Sequence, residues 1–314
     1  MTAAAGPAME DVRLLASGLQ FPEGPIALSD GSVLVVEIRR GTLTRVGADG
    51  AVEVVAECGG GPNGAALGPD GKVYVCNNGG FEWHEPVPGL LIPGNQPADY
   101  IGGRIQRVDL DTGEVEDLYT ECDGHPLRGP NDLVFDTEGN FWFTDHGKIR
   151  PRERDRGGIY YASPDGGTIS EVIFPADAPN GIGLAPDGAT LYYAETNTGR
   201  LYRRTLSAAG EVAPLAPLDP GVLCGLPGFQ LFDSLAVDGE GYVCVATLVN
   251  GGITSISPDG TSVEHLPPPA EYWDPLVTNV CFGGPDLGTA FVTLSGFGRL
   301  ISCRWPRPGL APAF

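Results

Sequence analysis

The feature that most constrains this chain is a hairpin that recurs six times. Its clearest copy is PNDLVFDTEGNFWFTDHG, residues 130–147: a polar start at Asn131, an apolar run to Phe135, a turn at 137–139, and a second run from Phe141 to Phe143 ending in Asp145 and His146. Five further stretches repeat it, at 22–37, 62–78, 179–196, 232–247 and 278–293. Aligned on their first polar position, Glu23, Asn63, Asn131, Asn180, Asp233 and Asn279 share one phase, at spacings of 40, 68, 49, 53 and 46 residues. An acid follows each at seven residues: Asp30, Asp70, Glu138, Asp187, Glu240 and Asp286. A unit of this size makes a four-stranded antiparallel sheet too thin to bury its own faces, so the copies must stack radially. The expected fold is all-β: a six-bladed β-propeller with four-stranded antiparallel blades.

The ends of the repeat series say how such a ring closes. Residues 12–16 read as a strand with no hairpin partner, while residues 299–305 follow the sixth hairpin as a third strand and leave that blade without an outer one. Pairing the N-terminal strand with the C-terminal blade closes the ring and removes an open edge. The expected organisation is one propeller domain over 11–306, with a disordered tail at 1–10 and a second tail at 307–314. Glycine at 47 and proline at 29 suit a protein made largely of turns.

Blade two is interrupted. Between its second and third strands lies GGFEWHEPVPGLLIPGNQPADYIGG, residues 79–103, which lacks strand alternation and carries several prolines. A loop of that length inside a compact domain is usually a lid or binding loop. It leaves from the same rim as Asn63, so Trp83, His84 and Tyr100 become candidate substrate contacts. The basic run KIRPRERDR, 148–156, reads as a solvated rim paired with its own Glu153 and Asp155. Blade four is expected to finish with strands at 199–205 and 212–217.

Composition excludes several classes of function. With 19 basic against 40 acidic residues, the formal charge is −21, which disfavours nucleic acid as a partner. Seven cysteines without CxxC spacing point to a reducing compartment rather than a disulfide framework. No stretch approaches the roughly eighteen apolar residues of a spanning helix, and residues 1–11 lack the pattern of a signal peptide. The expectation is a cytoplasmic, soluble protein without membrane partners, monomeric or weakly homo-oligomeric. No phosphate loop, HExxH or GxSxG motif is present.

The six in-phase residues open the innermost strands, so all six are expected to point into the central channel near one face. Two carboxylates, Glu23 and Asp233, converge there with amide oxygens from four asparagines. Such a hard-oxygen set suits one divalent cation, calcium first, with zinc, manganese, magnesium and iron(II) as alternatives. The absence of cysteine and histidine from the ring disfavours structural zinc. The acids seven residues on fall in DG or EG turns and are expected to shape hairpins. Asp132, beside Asn131, is expected to alternate away from the channel and support the blade.

Glu23 in FPEGP, Asn131 in GPNDL, Asn180 in APNGI, Asp233 in FDSLAVD and the stretch TNVCFGGPD together resemble the gluconolactonase / senescence-marker-protein-30 / luciferin-regenerating-enzyme family, over residues 20–305. The resemblance implies a six-bladed propeller with a divalent metal in the channel and hydrolysis of sugar lactones. It implies Glu23, Asn180 and Asp233 as metal ligands, with Asn131 coordinating or touching substrate. Members often carry an arginine two places before that asparagine; Gly129 stands there and Arg128 one place further off, where it could grip a substrate from the rim. Asn63 and Asn279 complete the candidate substrate-binding set. In the expected chemistry the metal polarises a lactone carbonyl and water attacks it. Asp233 is the first candidate for the base that takes the water proton, and His146 the second. Hydrolysis of organophosphates or other esters on the same site is the alternative activity. A non-enzymatic binding propeller is the alternative from another class.

Overall fold

The computed structural model describes residues 8–314. It contains six principal antiparallel sheets, each built from one copy of the repeat. Blade one runs Pro22–Ala27, Val33–Glu37, Thr42–Val46 and Val52–Glu57 from the inside outward. The other inner strands are Pro62–Leu67, Pro130–Phe135, Pro179–Leu184, Leu231–Val237 and Val277–Gly283. Each inner strand contacts the next, and the sixth contacts the first, so the ring is closed around a channel.

Closure follows the expected route. Strand Glu10–Ser17 lies antiparallel to Arg299–Arg304, with Glu10 opposite Arg304 and Ser17 opposite Arg299. It begins two residues before the expected start: Met9 is already buried, and its amide donates to the Pro267 carbonyl. The rest of the expected N-terminal tail, residues 1–7, lies outside the described residues.

Six apolar clusters hold the blades together, one at each blade–blade interface. Between blades two and three, for example, Tyr74, Cys76 and Ile105 pack against Phe135, Phe141 and Phe143. Burying one such side chain contributes about 1.5–3 kcal/mol, which makes the interfaces the main source of stability. All seven cysteines are free, six of them buried. Blade four departs from expectation at its edge. Instead of one outer strand at 212–217, the nine-residue strand Arg200–Ala208 pairs with two short pieces, Glu211–Val212 and Val222–Gly225. Proline at 214, 217 and 220 removes the backbone donors that a continuous edge strand would use.

The turn acids divide by blade. Asp30, Asp70, Asp187 and Asp286 each accept a backbone N–H two residues on, as expected for hairpin-shaping residues. In blades three and five the accepting carboxylate belongs instead to Asp136 and Asp238, two residues earlier.

Candidate metal and substrate site

Every inner strand carries a bulge beside its ring residue. In blade three Pro130 faces Asp145 and Leu133 faces Phe143, so three steps on one strand answer two on the other. One extra residue is likewise inserted in blades one, two, four, five and six. A bulge re-aims side chains and bends the strand. Here it aims one polar residue per blade at the axis.

In blades one to four the chain leading into the inner strand is held by a polar side chain at the end of the strand beside it. Asp145 accepts the N–H groups of Arg128, Gly129 and Gly147 at 2.6, 2.7 and 2.9 Å. Glu37 accepts from Gln20, Asn77 from Gly61, and Glu195 from Asp177. The strand starts are thereby fixed by buried hydrogen bonds, which pre-organises the ring they present.

Glu23, Asn63, Asn131, Asn180 and Asn279 are all buried, while Asp233 keeps partial solvent access with its carboxyl deep in the channel. The Nδ2 of Asn279 donates to Glu23 Oε2 at 2.8 Å, and its own oxygen is occupied by the Val280 N–H. Asn279 therefore orients Glu23. Asn180 donates through Nδ2 to Thr196, which leaves its Oδ1 in contact only with the Ser234 hydroxyl at 3.4 Å. The Oδ1 of Asn131 is buried and has no hydrogen-bond partner.

A third acid belongs to this group. Asp132 is buried, and its charge acts on Asp233 while that of Glu23 acts on Asp132. The expectation that it alternates away from the channel is corrected: the bulge at 130–133 breaks the alternation on which it rested. A sequence signal for this existed. The residue after the ring position is Gly24, Gly64 and Gly181 in three repeats, and a Cβ there would meet the neighbouring inner strand at 2.6, 2.5 and 2.4 Å. That slot faces the adjacent inner strand within the ring, and in blade three it holds a carboxylate.

Burial dominates the electrostatics. It lifts the Glu23 carboxyl from 4.5 to about 7, against the opposing hydrogen bonds from Asn279 and Gly24. Burial, then the Glu23 charge, lift Asp132 to about 8, and the same two causes push Asp233 well above the carboxylate range. Three acids sharing a buried site repel one another unless a cation is present. Two of these acids, Glu23 and Asp233, together with the orphaned Asn131 oxygen and the Asn180 oxygen, offer the hard-oxygen chemistry that a divalent ion takes. Among the described residues, no group of three or more His, Cys, Asp or Glu side chains is placed to hold a metal ion. The oxygens available here come from asparagines as well as acids.

The remaining predicted residues lie around this rim. His146 is half-buried; desolvation lowers it to about 4, and its ring approaches only the Gly147 carbonyl, at 3.5 Å. Arg128 is exposed. Tyr100 donates its hydroxyl to the Arg128 carbonyl at 2.5 Å. Loop 79–103 folds over this face: the Trp83 ring packs tilted against Phe21 with centres 5.1 Å apart, the Leu91 amide donates to Gly296, and the Gln96 amide donates to Ile149. It thus touches the rim of blades one, three and six. Trp83 and Leu91 join a small core with Phe21 and Ile38, so they pin the loop, whereas His84 is exposed.

A closed ring of six four-stranded blades, with buried carboxylates and amide oxygens at one end of its channel, defines the class as a six-bladed β-propeller. The sequence pattern described as SMP-30/Gluconolactonase/LRE-like region matches residues 21–296, and the chain belongs to that family. Lactonase drp35 of Staphylococcus saprophyticus is 28% identical over 251 residues, covering 79% of this chain and 70% of the relative. The Staphylococcus haemolyticus lactonase drp35 is 27% identical over 252 residues, with the same coverages. Among solved structures, a gluconolactonase of Xanthomonas campestris superposes with a TM-score of 0.73 at 20% identity, covering 96% of each chain. The calcium-binding protein regucalcin of Agrobacterium tumefaciens gives 0.76 at 19% identity, covering 98% of each. These two likenesses concern the fold.

Proposed function

We propose that this protein is a metal-dependent hydrolase that opens lactone rings, with a sugar lactone as the first candidate substrate. The observation that carries the reading is the buried trio Glu23, Asp132 and Asp233 beside the unpartnered Asn131 oxygen. Similarity to the staphylococcal lactonases supplies the reaction class. Glu23, Asn131, Asn180 and Asp233 are the residues that would hold the ion, calcium first. A bound divalent cation supplies electrostatic stabilisation of the oxyanion that develops on a carbonyl oxygen.

The chain's own groups do the rest. Asn279 holds Glu23 in place through its amide. Asp233 accepts the proton of the attacking water, its carboxyl standing in the channel beside Glu23. His146 is the competing base; as a neutral imidazole it has an acceptor nitrogen. Arg128 and Tyr100 stand at the rim, where a substrate hydroxyl or carboxylate would pass. The free cysteines fit a reducing compartment, and we place the protein in the cytoplasm on that ground.

The test is a panel of lactones, aryl esters and organophosphates assayed with chelator-stripped protein, then with calcium, zinc, manganese, magnesium or iron(II) restored. Lactone turnover that returns with a divalent ion is the expected result. Turnover of the esters or organophosphates alone would replace the substrate class, and no turnover of any compound would remove the enzyme reading.

A further inference from the structure

Lys148 opens the basic run after the second strand of blade three, yet its side chain belongs to blade two. It is 1% exposed. Its ammonium donates to the Gly80 carbonyl at 2.6 Å and to Asn78 Oδ1 at 3.2 Å, both in the chain that begins loop 79–103. It also lies 4.0 Å from the centre of the Phe81 ring and 5.6 Å from that of Tyr100, at the two ends of the loop. Its direct acceptors are neutral oxygens. The residues that follow extend the grip: the Ile149 carbonyl accepts the Gln96 amide at 2.8 Å, and Arg150 donates to the Gln96 side chain at 3.3 Å.

This is not the arrangement of a solvated rim. A lysine on such a rim keeps its charge in water, whereas this one is enclosed by a loop from the neighbouring blade. Its own backbone is fixed by Asp155, which accepts the Lys148 N–H and donates its amide to the Lys148 carbonyl. Asn78 then ties the contact to the ring, because its amide donates to Gly61, two residues before Asn63.

We propose that Lys148 is a positioning residue that clamps loop 79–103 over the mouth of the channel and so sets how readily a substrate reaches the ring. The link to substrate rests on the hydrolase reading; the clamp itself does not. A cation held on carbonyl oxygens and aromatic faces binds through charge-assisted hydrogen bonds and cation–π attraction, and both weaken when the proton leaves. Burial brings the Lys148 ammonium down from 10.5 to about 7, so the clamp loosens as pH rises through neutrality. The titratable groups that face it are Asp145, His146 and Asp155 from blade three and Tyr100 from the loop, with Asp155 itself paired to Arg150. His146 at about 4 and Tyr100 at about 12 titrate outside that window.

Hydrogen exchange read peptide by peptide tests the clamp without any substrate. In the full-length protein, protection of amides in 80–100 should fall about tenfold between pH 6 and 8.5, after correction for chemical exchange, while the blade-three strands stay protected. In Lys148→Met the loop should exchange at the faster rate at every pH. With a hydrolysed substrate, Lys148→Met should change KM about fivefold and leave kcat within about twofold. Loop protection that is independent of pH in the unmodified protein overturns the proposal, and this arm requires no variant to fold. Unchanged loop protection in a folded Lys148→Met protein overturns it as well. Should no lactone or ester be hydrolysed, the function reading fails and the exchange result still decides the clamp.

Discussion

The two ends of the central channel are made from the same six strands and differ in almost every property. At the end where the inner strands begin lie the buried Glu23, Asn63, Asn131, Asn180 and Asn279 and the partly buried Asp233, beneath loop 79–103. Past the bulges the same strands turn apolar, and Ile26, Leu67, Phe135, Leu184 and Val237 wall a cavity of about 570 Å³. The chain's last residues cross that distal mouth: the Leu310 amide donates to Val237, and Phe314 meets Phe135 edge-on at 6.0 Å. The bulge marks the change. It frees the first residues of each strand from alternation for polar work, and leaves the later residues to alternate and pack. Chemistry and stability should therefore separate along one strand.

The largest expected effect is at the polar end. Asp233→Asn keeps a ligand oxygen but removes a charge and the proton acceptor, so turnover should fall by about 10²–10⁴ even at saturating cation. Asn63→Ala should matter far less, since it removes neither. If Asp233→Asn retains near-normal kcat while His146→Gln abolishes it, the base is His146 and Asp233 only a ligand.

At the apolar end the next effect should fall on stability alone. Phe135→Ala removes a ring packed against Tyr74 and Phe141 and should cost about 3–5 kcal/mol in denaturant unfolding. Cation affinity and kcat should stay within about twofold of the parent. A large loss of cation affinity would break the division between the two ends.

A pH series sharpens the comparison at smaller amplitude. Glu23 at about 7 and Asp132 at about 8 hold protons in the folded, cation-free protein that the unfolded chain releases near 4. The unfolded state then binds fewer protons, so stability is full below about pH 4 and declines as pH rises towards 8. Added divalent cation should flatten that decline. Phe135→Leu should lower the whole curve without changing its slope.

The smallest effect concerns the distal segment. Removing residues 310–314 opens the cavity mouth but takes away few buried groups, and should cost about 1 kcal/mol with no change in cation binding. A loss of activity on truncation would show that the two ends communicate.

The repeat made the blade count, the closing strand and the phase of the ring legible in sequence. These depend on period and count, which survive without coordinates. Asp132 was hidden because a bulge reverses the inference from alternation, although the glycines at 24, 64 and 181 carried the signal. Lys148 was absorbed into its basic neighbours, since a run of charge does not say which member bends back into the fold. The outer edge of blade four was misread because its prolines fragment a strand that composition alone leaves continuous. Trp83 could not be assigned from type: an aromatic on a loop serves either substrate or anchor, and its contact with Phe21 makes it an anchor here.

The central claim is that the acid ring is built for a divalent cation. Its most direct test is the melting temperature of chelator-stripped protein at pH 8, titrated with calcium, zinc, manganese, magnesium or iron(II) in turn. A rise that grows with the logarithm of cation concentration is predicted with at least one ion, equivalent to about 2.7 kcal/mol of stability at a hundredfold excess over Kd, and it should vanish in Glu23→Gln. A melting temperature that none of the five ions moves in the parent protein would contradict the account.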